Sequence, residues 1–90
     1  MRQLELHRGV PKELAKLPAK QYRQVVSAIF DLLAVPEPHN SKCLKGSNYH
    51  RFAVGEYRIV YRYSDDVVKV VVFGKRNDDA VYRTLQRLEA

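Results

Sequence analysis

Basic side chains that could bind one phosphate group come from separate segments of this 90-residue chain. Three arginines lie on two neighbouring strand-like segments and just after a third, and a tyrosine follows. The planar guanidinium of arginine matches the oxygens of a phosphate, and a tyrosine ring can stack on a nucleotide base. These residues are Arg51, Arg58, Arg76 and Tyr82. Their types and order predict a site for the backbone of a nucleic acid.

The charge balance favours the same class of partner. Sixteen Lys and Arg residues against ten Asp and Glu residues give a net charge of +6, which indicates an anionic partner, nucleic acid first. The single cysteine, Cys43, cannot form an internal disulfide, and no Cys/His spacing suggests zinc. We expect it to be packed and unreactive in a reducing cytosol. The chain shows neither a secretory signal nor an apolar run of membrane-span length, so we expect a cytoplasmic protein.

Two helices are predicted after a first strand. Residues 2–7 alternate polar and apolar side chains, as in a half-buried strand at a sheet edge. Pro11 suits the start of a short helix that Pro18 ends. From Ala19 to Val35, apolar residues recur every three or four positions and predict an amphipathic helix that covers the sheet. Its apolar positions are Tyr22, Val25, Val26, Ile29, Phe30, Leu32 and Leu33.

The rest of the chain predicts a meander of strands. Pro36 and Pro38 end the long helix, and a loop follows. The strand-like segments run from Tyr49 to Val54, Tyr57 to Tyr63 and Val67 to Phe73, and a short helix is predicted from Asp78 to Leu88. The order β-α-α-β-β-β-α over residues 1–90 predicts one α+β domain. In it, the two N-terminal helices pack on one face of a twisted, mainly antiparallel sheet.

The alternation of strand side chains predicts which basic residues share a face. Tyr57, Ile59 and Tyr61 suit the core, which leaves Arg58 and Arg62 on the open face of the sheet. Phe52 and Val54 also suit the core. Arg51 should therefore lie on the face of Arg58, and His50 on the other face. Arg76 is an even number of residues away from Val68, Val70 and Val72, so alternation would place it on their face, although it follows the end of the strand that contains them.

Several segments resemble, in order and spacing, the RelE/ParE superfamily of bacterial and archaeal toxins. They are Leu44-Lys45-Gly46, Gly55-Glu56-Tyr57-Arg58-Ile59-Val60-Tyr61, Gly74-Lys75-Arg76 and Val81-Tyr82. The resemblance runs from the first strand through Tyr82. It points within the superfamily to the RelE-type mRNA endonucleases, whose fold agrees with the one predicted above.

The resemblance implies the toxin of a type II toxin–antitoxin system. Such a toxin cleaves mRNA in the ribosomal A site by attack of the ribose 2′-OH on the adjacent phosphate, without a metal or other cofactor. It leaves a 2′,3′-cyclic phosphate and inhibits translation. By resemblance, Arg58 and Arg76 stabilise the phosphate, Tyr82 orients a nucleotide and Arg51 occupies a basic strand position. Further RNA contacts are expected from Lys42, Lys45, Arg62 and Lys75. The expected partners are a cognate antitoxin, the 70S ribosome and mRNA.

One departure from the family pattern concerns the proton acceptor. The best-studied branch has two lysines at the places of Arg51 and Ala53, and one of them is thought to act as the base. An arginine rarely loses its proton, so His50, His39 and Lys45 are the remaining candidates. Two alternatives stay open. One is a ParE-like inhibitor of DNA gyrase without nuclease activity, and the other is a RelE-like protein that has lost catalysis and acts only with its antitoxin.

Overall fold

The computed structural model describes residues 1–44 and 46–75. The helix predicted from Asp78 to Leu88 and the site residues Lys45, Arg76 and Tyr82 lie outside this part of the chain. Within it, five strands and two helices follow one another in the chain. They are β1 (Gln3–Leu6), α1 (Val10–Ala15), α2 (Ala19–Ala34), β2 (Ser41–Cys43), β3 (His50–Val54), β4 (Tyr57–Tyr63) and β5 (Val67–Lys75).

The described strands form one mixed sheet in the order β1-β5-β4-β3-β2. Strands β2 to β5 are a continuous antiparallel meander, while β1 pairs in parallel with β5. A parallel pair needs a long crossover, and α1 and α2 supply it. The α+β fold and the edge position of β1 are therefore as predicted.

Both helices pack on one face of this sheet. Leu14 of α1 and Ile29 and Leu32 of α2 are buried against Ile59 and Tyr61 of β4, and Ile59, Tyr61 and Leu32 have no exposed surface. The prediction for the apolar face of α2 was wrong at two positions. Tyr22 is 44% and Phe30 53% exposed. The apolar side chains of α2 cover a wider part of the helix surface than the part that contacts the sheet. The rings of Tyr22 and Phe30 lie outside that contact.

The structure adds a strand that was not predicted. Residues Ser41–Cys43 form β2 at the edge of the sheet, where a loop was expected. The segment is too short to show alternation, so only its pairing with β3 defines it as a strand. Cys43, expected to be packed, is exposed there.

A two-residue turn sets the register of β3 and β4. Val54 pairs with Tyr57, so Gly55 and Glu56 alone form the connection. Gly55 has a φ of +56°, as the first residue of a type II′ hairpin turn requires. This register places Arg58 opposite Ala53.

An irregularity in β5 interrupts its alternation. Val60 pairs with Val72 and Tyr61 with Val70, so Val71 is an extra residue on β5. As a consequence, Val68 and Val70 lie in the core under the helices, but Val72 lies in a second cluster with Val60 and Val71. The prediction that Val68, Val70 and Val72 lie on the same face of the sheet was therefore wrong. Because alternation breaks at Val71, the face of a side chain cannot be derived by counting residues through this strand.

Candidate nucleic-acid interface

In the described part of the chain, five basic residues lie on the face of the sheet opposite the helices, here called the basic face. Residues paired directly across two strands point to the same side of a sheet. Arg51 pairs with Val60, and Arg58 with Ala53, so both arginines share the face of Val60, as the alternation predicted. Lys42 pairs with Arg51, and Arg62 with Lys69. The five residues are Lys42, Arg51, Arg58, Arg62 and Lys69.

Arg51 and Arg58 are diagonal neighbours on adjacent strands. The partner of Arg51 is Val60, two residues beyond Arg58 on β4, and diagonal neighbours are about 7–8 Å apart at Cα. Both side chains are half-buried. Two long guanidinium side chains at this separation can reach a single phosphate group between them.

The centre of the basic face is apolar. Val60 has no exposed surface, Val71 and Val72 are 5% exposed, and Leu44 and Tyr49 pack against them. The basic residues are arranged around this patch, Arg51 and Arg58 towards one side and Arg62 with Lys69 at the other end. Because these three valines are covered, only the half-buried Leu44 and Tyr49 offer apolar surface beside the cations, and the cations themselves can bind a phosphate backbone.

Two basic residues differ from the sequence interpretation. Lys75 pairs with Tyr57, whose ring stacks on Phe73 in the core beneath the helices. Lys75 thus lies on the helix side, away from the basic face with which it was grouped, because the extra residue Val71 reverses the alternation of β5. Lys69 was not singled out, although its place between the buried Val68 and Val70 was a usable signal.

His50 belongs to the helix side, as predicted. Its ring stacks on that of Tyr61 at 5.6 Å and lies 5.2 Å from that of Tyr63. Its buried Nδ1 lies 3.9 Å from Oε1 of Glu37 and has no hydrogen-bond partner in the described part of the chain. His50 points away from Arg51 and Arg58, so it does not reach a phosphate bound between them. His39, the other histidine considered, is exposed in the loop before β2.

Two tyrosines anchor the loop after α2 to the sheet. The hydroxyl of Tyr61 donates to the carbonyl oxygen of Pro36 at 2.5 Å, and that of Tyr63 donates to Oε2 of Glu37. Burial raises the pKa of Tyr61, whereas the hydrogen bond to Glu37 is the main cause that raises the pKa of Tyr63. These phenols remain neutral and act as structural donors that hold the loop at Pro36 and Glu37 against β4.

No cluster of metal ligands occurs in residues 1–44 and 46–75. In the same residues, no helix is long and apolar enough to cross a membrane. The chemistry available on the basic face is that of guanidinium and ammonium groups, which bind and stabilise anions.

The fold is similar to that of a class of small toxins. A RelE–RelB complex from the archaeon Pyrococcus horikoshii is similar at 26% identity and a TM-score of 0.73, over 83% of this chain and 94% of that one. The RelBE2 toxin–antitoxin complex of Mycobacterium tuberculosis matches at 25% identity and a TM-score of 0.72, over 83% of this chain and 98% of that one. A mutant of Escherichia coli RelE in the free state shares the fold at 24% identity, with a TM-score of 0.79 and 96% of both chains covered.

The sequence places the chain within that class. Residues 4–80 match the family described as the ParE toxin of the type II toxin–antitoxin system, parDE. The protein belongs to this family, and with it to the RelE/ParE superfamily of type II toxins. No curated protein sequence matches it significantly.

Proposed function

We propose that this toxin cleaves mRNA in the ribosomal A site. The observation that carries the proposal is the diagonal placement of Arg51 and Arg58 on the basic face, with Lys42 directly opposite Arg51. This arrangement offers two guanidinium groups for one phosphate and an amine beside them. The similarity to RelE proteins of known structure supports an RNA phosphate as the target.

The reaction would proceed by attack of the ribose 2′ oxygen on the adjacent phosphorus. A new bond between the 2′ oxygen and phosphorus forms while the bond to the 5′ oxygen breaks. The products are a 2′,3′-cyclic phosphate and a 5′-hydroxyl, which takes its proton from water. Arg51 and Arg58 stabilise the charge that develops on the phosphate oxygens. Arg76 and Tyr82 join them by resemblance to the family.

Lys42 is our candidate for the group that accepts the proton of the 2′-OH. Ala53 leaves the expected lysine position without a basic side chain, and a guanidinium does not act as a base. Lys42 lies across from Arg51, on the same face, and a lysine side chain accepts a proton only in its neutral amine form. General base catalysis of this kind contributes about 10²–10⁴-fold to a rate.

The partners follow from the same proposal. The RelE proteins of P. horikoshii and M. tuberculosis were crystallised with antitoxins, and we infer that a cognate antitoxin neutralises this chain. Its site of action would be the cytoplasm, on 70S ribosomes carrying mRNA, with no metal or cofactor required.

A second function has its own support. The matching family is that of ParE toxins, and Ala53 lacks the amine expected of an active RelE. A ParE-like toxin would use the basic face to bind DNA gyrase and inhibit it without nuclease chemistry. Because both functions share the fold, the fold cannot distinguish them.

Primer extension on mRNA bound to 70S ribosomes tests the first function. Wild-type protein should produce new ends within the A-site codon, only when ribosomes are present. Arg58→Ala should abolish these ends, whereas Arg23→Ala, at an exposed position of α2 on the opposite side of the molecule, should retain them. Intact mRNA together with inhibition of gyrase supercoiling would instead establish the ParE-like function. Intact mRNA with no effect on gyrase would indicate a toxin fold that has lost both activities.

A further inference from the structure

A second basic pair lies at the far end of the basic face. Arg62 and Lys69 are directly opposite each other on β4 and β5, and Lys69 is also opposite Glu5 on β1. Arg62 is exposed and Lys69 half-buried. Two like charges placed directly across strands destabilise a sheet. Glu5 offsets part of this repulsion, and a bound anion would offset the remainder.

A cavity of about 650 Å³ opens at this pair. Glu5, Ser47, Asn48 and Val67 contribute to its lining, and so do Cys43, His50 and Tyr63 from the helix side, so the cavity lies at the end of the sheet. Volumes of about 300–1,000 Å³ are typical of sites for small organic ligands, and this cavity falls within that range. The lining combines two cations with a hydroxyl and an amide that can form hydrogen bonds to a phosphate or sugar.

Neither cation of this pair is engaged by an acid in the part of the chain that the structure describes. Glu5 is the carboxylate that lines the cavity. The ion pairs found there join Lys16 to Glu13 and His50 to Glu37, and none involves Arg62 or Lys69. The cavity therefore retains a net positive charge.

We propose that this cavity is a second phosphate subsite, which binds the RNA backbone a few nucleotides away from the cleaved phosphate. The inference rests on the proposed function in taking RNA as the ligand. Arg58 and Arg62 point to the same side of β4, four residues apart, which corresponds to roughly 13 Å at about 3.3 Å per residue. A stacked strand advances about 3.4 Å per nucleotide and an extended one advances more, so the two subsites are at most about four nucleotides apart.

Two anchored phosphates would set the register of the RNA strand. The scissile phosphate would sit at Arg51 and Arg58, and the second phosphate at Arg62 and Lys69 would hold the strand in line between the two subsites. Such positioning supports in-line attack by the 2′-OH. The subsite would thereby contribute to binding and register rather than to the bond-breaking step.

Equilibrium binding of a non-cleavable RNA tests the subsite without depending on cleavage. The probe is a fluorescein-labelled 2′-O-methyl octanucleotide, and its anisotropy is measured over a series of salt concentrations. The slope of log K against log salt falls by about 0.7 to 1 for each phosphate that the protein no longer binds. Arg62→Gln and Lys69→Gln should each weaken binding severalfold and reduce the slope by this amount. The double variant should reduce the slope by no more than either single variant, since both side chains bind the same phosphate.

Two controls separate this subsite from general attraction by charge. Lys20→Gln removes one charge from an exposed position of α2 and should leave the slope unchanged. A dinucleotide probe, too short to reach from Arg58 to Arg62, can occupy either subsite alone, so Arg62→Gln should weaken its binding by a smaller factor than it weakens binding of the octanucleotide. An unchanged slope for Arg62→Gln with the octanucleotide, or a slope change equal to that of Lys20→Gln, would overturn the subsite even if mRNA is cleaved. A selective loss for Arg62→Gln would support it even if the ribosome assay shows no cleavage.

Discussion

Adding a lysine at position 53 tests the chemistry of the basic face most directly. Ala53 is exposed on that face and pairs directly with Arg58. Side chains paired in this way have Cβ atoms about 4.5–5.5 Å apart. The amine of Ala53→Lys would therefore lie beside the guanidinium that is expected to hold the scissile phosphate. It would restore the second amine expected from the RelE family pattern.

The expected effect is a gain in rate with a small loss of stability. General base catalysis contributes about 10²–10⁴-fold, and because Lys42 already supplies part of it, we expect a gain of about 10- to 100-fold. A like charge opposite Arg58 should lower the free energy of unfolding by about 0.2–1 kcal/mol. The assay is single-turnover cleavage of mRNA on 70S ribosomes at saturating toxin, with urea denaturation measured in parallel.

Ala53→Arg is the matched control, because it adds the same charge without a usable base. If both variants cleave faster to the same extent, the gain comes from phosphate binding and the argument about a missing base is wrong. If neither variant changes the rate of an active wild type, the proton is accepted elsewhere and position 53 does not limit the reaction. A gain restricted to Ala53→Lys supports the reasoning.

Three further predictions concern the proton acceptor, the hairpin and the loop anchor. Lys42→Arg should keep RNA affinity but lower single-turnover cleavage about 100-fold or more, and adding Ala53→Lys should restore the rate; unchanged cleavage in Lys42→Arg would exclude Lys42. Gly55→Ala should cost about 1–2 kcal/mol in urea denaturation because φ is +56°, whereas Glu56→Ala should be close to neutral. Tyr61→Phe should cost about 1–3 kcal/mol, since the Pro36 carbonyl loses its donor. Because burial raises the pKa of Tyr61, the stability that its neutral phenol contributes is present below pH about 10 and is lost as pH rises through the folded-state pKa. Stability of Tyr61→Phe should therefore fall less steeply than that of wild type in alkaline solution, and equal slopes would contradict the assigned cause.

The strands that carry a clear alternation were predictable from the sequence. In β4, buried Ile59 and Tyr61 are separated by Val60 and flanked by Arg58 and Arg62, so both the strand and its basic side follow from the period of two. The same argument placed Arg51 on the basic face and His50 on the other. Periodicity also predicted α2, because Val25, Ile29 and Leu32 recur on one side of a helix. These properties are local, since each depends only on which neighbouring side chains avoid water.

Other features depend on contacts between distant segments, so the tertiary structure alone decided them. The strand β2 exists because Ser41–Cys43 pairs with β3, and this pairing brings Lys42 opposite Arg51. The extra residue Val71 reverses the alternation of β5 and moves Lys75 to the helix side. The pairing of β4 with β5 brings Lys69 beside Arg62. A sequence specifies which way a side chain points relative to its neighbours, but only the register of paired strands determines which charges meet across the sheet.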